Sequence, residues 1–341
     1  MKSAVLQFEI AGVPVGRDAR PYILAEIGIN HNGDVKIAEE LIHAAKESGA
    51  DGVKFQTFKA EDLVNRERSP EYYELFKKVE LDRHSHEKLL GTASDAGIAF
   101  ISTPFGEDEA QFLSDLGVPA IKIASGDVTN HLLLEKVAGL NLPVILSTGM
   151  SYMEEVVAAR DVLVKNGCHE IVLLHCVSRY PTTPGELNLR SIKTMLDEFP
   201  DVIGFSDHTE GIWASIAAVS MGARFIEKHF TLDRKMDGPD HALSAEPDEL
   251  KELVESIGNT YDGLGSGIKE PCPAELENRH LGRKGIYAAL NIDPGTELTR
   301  DILKVSRPEG DIGADEIRQF FGLKINRKIQ AGGEITRSDL S

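Results

Sequence analysis

Polar side chains interrupt two apolar runs of the chain, at "GFSDHT" (204–209) and at "FIEKHF" (225–230). Burying such groups is costly unless they are paired or bind a ligand. His208 and His229 stand at the ends of these runs, each close to a carboxylate, Asp207 or Glu227. Two neutral imidazoles with a nearby carboxylate suit Mn²⁺, Fe²⁺, Co²⁺ or Zn²⁺. We therefore predict that His208 and His229 bind a divalent metal; the alternative is a pair of hydrogen-bonded core histidines.

Two lysines lie within other apolar runs, Lys54 in "GVKFQT" and Lys122 in "AIKIAS". A buried lysine without an anion destabilises the fold or gives up its charge. We interpret both lysines as holding a bound anion; the alternative is an internal ion pair, for instance with Glu26. Hydroxyl groups of the kind that hold phosphate together with helix N-termini stand at similar positions: Thr103, Ser125, Ser147 and Ser206.

These residue types indicate one kind of reaction. A metal ion can polarise a carbonyl group, and a cradle of lysines and hydroxyls can hold a phosphorylated donor beside it. Glu26 supplies a carboxylate at the end of another apolar run. The combination favours carbon–carbon bond formation between a phosphorylated donor and an aldehyde.

The elements that must position these residues are eight short apolar runs, typical of parallel strands covered on both faces. Helix-length segments separate them; one has Asp34 as its predicted N-cap, and another has a predicted Ser151–Glu154 capping box. Eight β/α units predict a (β/α)8 TIM barrel with the polar residues at the carboxyl ends of its strands. A doubly wound open sheet is the alternative, but "GINHNGD" is a poor dinucleotide fingerprint. The predicted strands are 22–28, 52–57, 99–104, 120–125, 143–149, 171–176, 202–208 and 224–230.

Composition limits the partners and the compartment. The formal net charge of −18 argues against nucleic acid or an anionic membrane as a partner. No apolar run approaches the roughly 20 residues that span a bilayer. The start "MKSAVLQFEI" has no secretory-signal pattern, and the three cysteines show no metal-binding or redox spacing. We expect a cytoplasmic protein with reduced thiols.

The pattern changes after a segment rich in glycine and proline, "DGLGSGIKEPCP" (262–273). The sequence predicts no further helix of normal length there, but a compact module of short strands and turns. An internal echo supports this interpretation, because "PGTELTRDIL" (294–303) resembles "AGGEITRSDL" (331–340). We predict a barrel domain at 1–265, a linker at 266–280 and a small domain at 281–341.

Nine segments of the chain together resemble the sialic acid synthase family, which also makes legionaminic and related nonulosonic acids. The resemblance runs from about Tyr22 to the end, and the last domain is similar to the family's antifreeze-like (SAF) domain, with "SRPEGDI" (306–312) at its Arg-Pro motif. The segments are "AEIGINHNG", "VKFQT", "ISTPF", "KIASGD", "LSTGM", "HCVSRYP", "GFSDHT", "IEKHFTLD" and "GPDHALSAEPDEL".

The resemblance implies a transferase that condenses phosphoenolpyruvate with an N-acylated hexosamine to give a nonulosonic acid and phosphate. It implies His208 and His229 as ligands of a divalent metal, usually Mn²⁺, with Mg²⁺ or Co²⁺ as alternatives. Glu26 matches the essential carboxylate. The phosphoenolpyruvate contacts would be Lys54, Thr103, Lys122, Ser125, Ser147 and Ser206, and the sugar contacts Gln56, Tyr180 and Asp240.

The resemblance also implies a domain-swapped homodimer in which Arg307 reaches the acyl-sugar of a partner subunit. Two substrate positions depart from the family pattern, because Asp127 stands where the family often has Glu and Ser178 where it often has Asn. The short segment 60–81 is expected to lie over the rim and to help select the sugar. The competing hypotheses are another metal-dependent aldolase or 2-keto sugar acid synthase, and a non-catalytic sugar-binding barrel.

Overall fold

The computed structural model describes residues 7–341, and the chain divides into two units, Met1–Gly265 and Ser266–Ser341. The first six residues, to which the predictions about a secretory signal and the start of the barrel domain extend, lie outside the described part. The strands are β1 Gln7–Ile10, β2 Val13–Gly16, β3 Tyr22–Gly28, β4 Gly52–Thr57, β5 Ala99–Pro104, β6 Ile121–Ile123, β7 Val144–Ser147, β8 Ile171–Cys176, β9 Val202–Asp207, β10 Phe225–His229, β11 Gly285–Ala288 and β12 Leu303–Ser306. The helices are α1 Val35–Glu47, α2 Ala60–Leu63, α3 Pro70–Val79, α4 Arg83–Ala96, α5 Glu107–Leu116, α6 His131–Ala138, α7 Met153–Lys165, α8 Arg190–Glu198, α9 Trp213–Ser220, α10 Pro247–Leu264 and α11 Pro273–Gly282.

Strands β3 to β10 close a parallel barrel in which β10 pairs with β3. This confirms the predicted (β/α)8 barrel and excludes the doubly wound open sheet. The register places Glu26 of β3 opposite both Lys54 of β4 and His229 of β10. It also sets Glu227 of β10 opposite Ser206 of β9. Because side chains alternate along a strand, residues predicted from separate motifs point into one lumen.

Apolar side chains fill the lower part of the barrel lumen. Tyr22 and Phe225 stack there, with ring centroids 4.8 Å apart. The antiparallel β1–β2 hairpin, which the sequence analysis did not predict, packs Phe8, Ile10 and Val15 into the same cluster. Within the described residues the amino end of the barrel is therefore sealed by packed side chains. Polar groups are left for the opposite end.

Two local predictions differ from the structure, and one agrees. Asp34 caps α1 as predicted, because its carboxylate accepts a hydrogen bond from the Lys36 amide at 2.8 Å. The Ser151–Glu154 capping box is wrong by one residue, since Glu155 accepts from the Tyr152 amide at 2.7 Å. The prediction that no further helix of normal length follows the segment rich in glycine and proline is also wrong. Helix α11 occupies part of the predicted linker, with Pro273 in its first turn.

The smaller unit has its own apolar core, which includes Ile286, Leu298 and Ile335. Its strands β11 and β12 pair antiparallel. The two halves of the internal echo have the same local structure, because Thr299 and Thr336 each precede a short 3-10 turn. The assignment of this unit as an antifreeze-like domain stays a prediction. Among residues 7–341 no helix combines the length and apolarity needed to cross a membrane.

Candidate active site

The carboxyl ends of the barrel strands surround one cavity of about 570 Å³, which we call the cup. It lies above the apolar lower lumen, at the end of the barrel where the polar strand ends meet. Most of the predicted site residues line it together. They are Glu26, Lys54, Gln56, Thr103, Lys122, Ser125, Ser147, Ser178, Tyr180, Ser206, His208, His229 and Asp240.

Four buried charged side chains form the floor of the cup. Lys54 Nζ lies 2.8 Å from Glu26 Oε1 and 3.8 Å from Glu227 Oε2. Lys122 Nζ lies 3.8 Å from the same oxygen of Glu227. Each of the four is at most 4% exposed. Lys54 therefore forms the internal pair that the sequence left as an alternative, and both lysines share the second carboxylate.

Hydroxyl groups complete the coordination of the two lysines. Lys54 donates to Thr103 Oγ1 at 3.1 Å, and Lys122 donates to Ser147 Oγ at 2.7 Å. Ser206 donates to Glu227 Oε1 at 2.7 Å. The floor is thus a network in which cations, carboxylates and hydroxyls alternate. An anion entering it would meet two ammonium groups whose positions are already fixed.

The pKa values of the two floor carboxylates, Glu26 and Glu227, are shifted in opposite directions. Burial, together with repulsion from the Glu227 carboxylate, raises the pKa of Glu26 to about 7. The attraction of the Lys54 ammonium group lowers this pKa but only partly offsets the rise. Burial also acts on Glu227, but Lys122 and Lys54 together lower its pKa to about 2. Glu227 is consequently a permanent counter-charge. Glu26 can gain or lose a proton near neutral pH, which suits general acid–base chemistry.

Three buried polar atoms at the floor have no hydrogen-bond partner among residues 7–341: Glu26 Oε2, Glu227 Oε2 and His229 Nδ1. Buried polar atoms are normally hydrogen-bonded, so each such group calls for an explanation. All three belong to residues that line the cup. Their common position indicates that a ligand or an ordered ion satisfies them.

The two histidines fit a metal site that is completed by non-protein ligands. Their ring centroids are 5.3 Å apart. His208 Nδ1 donates to the Val177 carbonyl at 2.7 Å, so its Nε2, which lies 3.4 Å from Ser206 Oγ, is the nitrogen that could act as a ligand. Burial and the neighbouring His208 hold the pKa of His229 well below its usual range, so this imidazole stays neutral. Within residues 7–341 no cluster of three or more His, Cys, Asp or Glu side chains forms a ligand set.

Asp207, one of the two carboxylates expected beside the histidines, does not reach the metal position. Strand alternation turns it outward, where its Oδ2 lies 3.2 Å from Lys228 Nζ, and both residues are essentially inaccessible. Asp207 also accepts hydrogen bonds from Ser215 Oγ at 2.7 Å and from the Thr209 amide at 2.8 Å. The pair therefore fixes the backbone on either side of His208. Asp240 is the carboxylate that approaches a histidine, at 3.8 Å from His229 Nδ1.

A second group of side chains crowds around Gly149 at the start of the β7–α7 loop. The Gly149 amide donates to Ser125 Oγ at 3.0 Å. A Cβ at this position would come within 2.3 Å of Ser178 Oγ and 3.2 Å of Cys176 Sγ. Only glycine lets these three side chains converge on the cup. Ser178, which departs from the family pattern, therefore packs against Gly149 of the β7–α7 loop.

Tyr180 covers the histidines from the side of the β8 loop. Its ring centroid lies 4.2 Å from that of His208 and 5.8 Å from that of His229. It is nevertheless 52% exposed, so one face remains available to a ligand. His175, in the same segment, does not line the cup. Its Nε2 donates to the Leu187 carbonyl at 2.7 Å, in keeping with a structural role.

Of the predicted substrate residues of the barrel unit, Asp127 does not line the cup. Asp127 lies in the 3-10 turn after β6, and its carboxylate accepts from Asn130 Nδ2 at 3.0 Å. Arg307 lies on the smaller unit, where it is exposed and makes no ion pair with residues 7–341. The structure adds other cup residues instead. They include Cys176, Glu227, which the sequence analysis placed beside His229 without assigning it to a substrate, and an apolar group formed by Ile29, Tyr72, Leu75, Phe76, Phe105 and Met150.

Sequence could have found some of these additional residues. Glu227 stands two positions before His229 on one strand, so period-two alternation already points both into the lumen. Cys176 ends β8 as Ser206 nears the end of β9, and the two are register partners. The apolar group had no such signal, because it combines a helix and three separate loops.

Fold and site together define a (β/α)8-barrel protein with a buried, charge-balanced cup at the carboxyl ends of its strands. The sequence model of the NeuB family matches residues 41–269, and the chain belongs to that family. It is 42% identical to the N,N'-diacetyllegionaminic acid synthase of Legionella pneumophila, over 94% of this chain and 94% of that protein. It is 38% identical to the N-acetylneuraminate-9-phosphate synthase of Mus musculus, over 89% and 88%.

Solved structures agree with this assignment. The N-acetylneuraminic acid synthetase of Leptospira borgpetersenii, crystallised with citrate, superposes with a TM-score of 0.77 at 34% identity. The match covers 82% of this chain and 96% of that chain. A 3-deoxy-D-arabino-heptulosonate 7-phosphate synthase from Thermotoga maritima has a TM-score of 0.63 at 20% identity, which shows a shared fold alone.

Removing the buried cation behind the histidines should be costly. We expect Lys228→Met to lower the free energy of unfolding by about 3–5 kcal/mol, because Asp207 would keep a buried charge without its counter-ion. Lys88→Met is the matched control, since Lys88 pairs with Glu39 at 2.9 Å on the surface and should cost at most about 1 kcal/mol. Urea unfolding of both variants measures the difference. Equal losses would contradict a special role for the buried pair.

Proposed function

We propose that this chain condenses phosphoenolpyruvate with the open-chain aldehyde of an N-acylated hexosamine, giving a nonulosonic acid and inorganic phosphate. The observation that carries the proposal is the floor of the cup, where Lys54 and Lys122 are fixed beside two histidines and a carboxyl group that titrates near neutral pH. The names of the relatives, synthases of legionaminic and sialic acids, support the same reaction. A non-catalytic sugar-binding barrel gives no reason for this arrangement.

The donor would bind at the floor. Phosphoenolpyruvate carries a carboxylate and a phosphate, and these groups would accept charge-assisted bonds from the two lysines and hydrogen bonds from the surrounding hydroxyls. Charge-assisted bonds of this kind are strongest where water is excluded. The residues assigned to this role are Lys54, Lys122, Thr103, Ser125, Ser147 and Ser206.

His208 and His229 would hold the divalent metal, for which Mn²⁺ is our first choice and Mg²⁺ or Co²⁺ are alternatives. A metal bound there would polarise the aldehyde oxygen of the sugar. Gln56, Tyr180 and Asp240 line the same cup as the histidines and would orient the sugar. Asp127 and Ser178 stay candidates for sugar contacts, although the carboxylate of Asp127 bonds to Asn130.

Glu26 would handle the proton that the reaction must move. As C3 of the donor forms its bond to the aldehyde carbon, the aldehyde oxygen gains a proton and becomes a hydroxyl. Water adds at C2 and gives up one proton, and the hydroxyl so formed passes its remaining proton to the departing phosphate as the C2–O bond to phosphate breaks and the 2-keto group forms. A carboxyl group with a pKa of about 7, with one oxygen free of hydrogen-bond partners among residues 7–341, can accept and return such a proton.

The metal requirement tests the site at His208. Phosphate release from phosphoenolpyruvate and N-acetylmannosamine or its 2,4-diacetamido relative should stop on chelation and return with Mn²⁺. His208→Ala should bind Mn²⁺ at least about tenfold more weakly, as loss of one ligand from a metal site implies. Mn²⁺ titration by electron paramagnetic resonance measures this without reference to turnover. Wild-type affinity in the variant would remove His208 from the metal site.

Replacement of Glu26 separates catalysis from stability. Glu26→Gln should reduce turnover by about a hundredfold or more, because the group that exchanges the proton is lost. The raised pKa of Glu26 means that its contribution to stability is present below the unfolded pKa and is lost as pH rises through about 7. The variant should therefore lose less stability than the wild type between pH 5 and pH 8. Urea unfolding at both pH values and phosphate release measure the two effects, and unchanged turnover would exclude Glu26 from the reaction.

We further propose that the smaller unit acts in a swapped homodimer, with Arg307 completing the cup of a partner subunit. In support of an interface, several large apolar side chains of this unit are exposed: Ile268, Leu276, Leu281, Leu290, Val305, Phe321 and Leu323. Arg307 makes no ion pair with any of residues 7–341 of its own chain. Covering the cup would exclude water during the condensation.

Mixing inactive subunits tests whether Arg307 acts in the cup of its own subunit or in the cup of a partner subunit. Glu26→Ala and Arg307→Ala homodimers should each be nearly inactive. If Arg307 acts on a partner, mixed dimers regain one intact site, formed by the barrel of the Arg307→Ala chain and the small unit of the other. Phosphate release after mixing measures the recovery. No recovery in mixed dimers, with their formation verified by mass spectrometry, would contradict the swap.

A further inference from the structure

The upper wall of the cup on one side is apolar, in contrast to its floor. Six side chains form this wall, which we call the apolar rim: Ile29, Tyr72, Leu75, Phe76, Phe105 and Met150. Tyr72 is 63% exposed and Met150 is 72% exposed. Large apolar side chains left exposed beside a cavity commonly mark a surface that a ligand covers. The floor of the cup carries charged side chains, whereas the apolar rim would contact an uncharged part of the ligand.

Packing behind the apolar rim holds it in place. Phe58 contacts both Phe76 and Phe105 edge to face, at centroid distances of 5.3 Å and 6.0 Å. These residues belong to a small cluster separate from the main barrel core. Gly33, with a φ of +80°, lets the end of α3 approach the β3–α1 loop, because a Cβ there would lie 2.5 Å from the Lys78 carbonyl oxygen. Helix α3 is therefore a fixed wall.

The described part of the barrel unit places no lysine or arginine at the apolar rim. Among the residues that line the cup, the cations are Lys54 and Lys122, and both are paired at the floor. Arg68, Lys77 and Lys78, the cations nearest in sequence to the rim residues of α3, do not line the cup. Arg66 pairs with Glu74 at 3.1 Å, and Lys77 pairs with Glu80 at 3.1 Å.

The direction of the sugar follows from the reaction. Its aldehyde carbon must meet the donor at the floor, beside Lys54 and the two histidines. The opposite end of the open chain, carbon six, then extends upward toward the mouth of the cup and the apolar rim. A phosphate ester on carbon six would place a dianion against Leu75 and Phe76, where burial without a counter-ion is unfavourable. A methyl group would instead be buried favourably.

We propose that the apolar rim selects an N-acylated hexosamine whose sixth carbon is uncharged and apolar, a 6-deoxy sugar rather than a sugar 6-phosphate. The inference rests on the proposed condensation and deepens it. It assigns Tyr72, Leu75 and Phe76 of α3 as specificity-determining residues. Carbon-six charge, rather than the acyl groups, is the feature that this wall discriminates.

A panel of four sugars tests the inference on the full-length chain, so that any group supplied by the smaller unit is present. The sugars are N-acetylmannosamine, its 6-deoxy form, its 6-phosphate and 2,4-diacetamido-2,4,6-trideoxymannose. We expect kcat/KM for the 6-deoxy sugars to exceed that for the 6-phosphate by about a hundredfold or more, a ratio within the reach of a pocket that leaves a charge unpaired. A 6-phosphate used as well as its 6-deoxy counterpart overturns the inference while the proposed function stands. No phosphate release with any sugar overturns the proposed function itself.

Charge placed on α3 provides the matched comparison. Tyr72→Arg and Leu75→Arg should each raise kcat/KM for the 6-phosphate relative to the 6-deoxy sugar by about fivefold to tenfold, because the guanidinium can pair with the phosphate. Glu71→Gln makes the same change in net charge on the same helix, but Glu71 is exposed and does not line the cup. The control should leave the ratio unchanged. Tyr72 is largely exposed, so its variant folds even where Leu75→Arg does not. A ratio that moves equally in all variants, or in neither arginine variant, overturns the assignment of α3.

Discussion

The structure depends on one network of buried charge, in which Lys54 and Lys122 share Glu227 while Lys54 also holds Glu26. Taking four such groups from water is expensive, and only close, well-formed contacts compensate. The barrel supplies those contacts by bringing β3, β4, β6 and β10 into register around one point. The same contacts separate the two carboxylates into a fixed counter-charge and a group that titrates near neutrality.

Strand alternation lets a second ion pair support the first without entering the cup. Glu227 and His229 point inward from β10, whereas Lys228 between them points outward and meets Asp207 of β9. In both strands a residue that lines the cup therefore stands next to an outward anchor, His229 beside Lys228 and Ser206 beside Asp207. The anchors tie the strand ends to Thr209 and to α9 through Ser215. The outward face of the sheet therefore carries the residues that position the strand ends, and the inward face carries the residues that line the cup.

The sequence was sufficient for the barrel and most of the cup because both follow from short-range periodicity. Eight apolar runs with polar ends predict eight strands whose ends meet, and thirteen of the predicted site residues line the cup. The failures involve contacts between segments distant in sequence. Asp207 has the right residue type beside His208 but the wrong strand face, and the apolar rim arises from the docking of α3 against Phe58 and Gly33. The β1–β2 hairpin was missed for the same reason, since its partner is the inside of the barrel.

That hairpin has a consequence for the order of events. Because Phe8, Ile10 and Val15 pack into the amino end of the lumen, the cup has a single mouth in the described unit. A molecule held at the floor can neither arrive nor depart past another held at the wall above it. If the donor binds at the floor and the sugar at the wall above it, as proposed, the donor must enter before the sugar, and the phosphate released at the floor must leave after the product above it. Binding would then follow a compulsory order, and an excess of sugar over donor would inhibit by blocking the mouth of the cup.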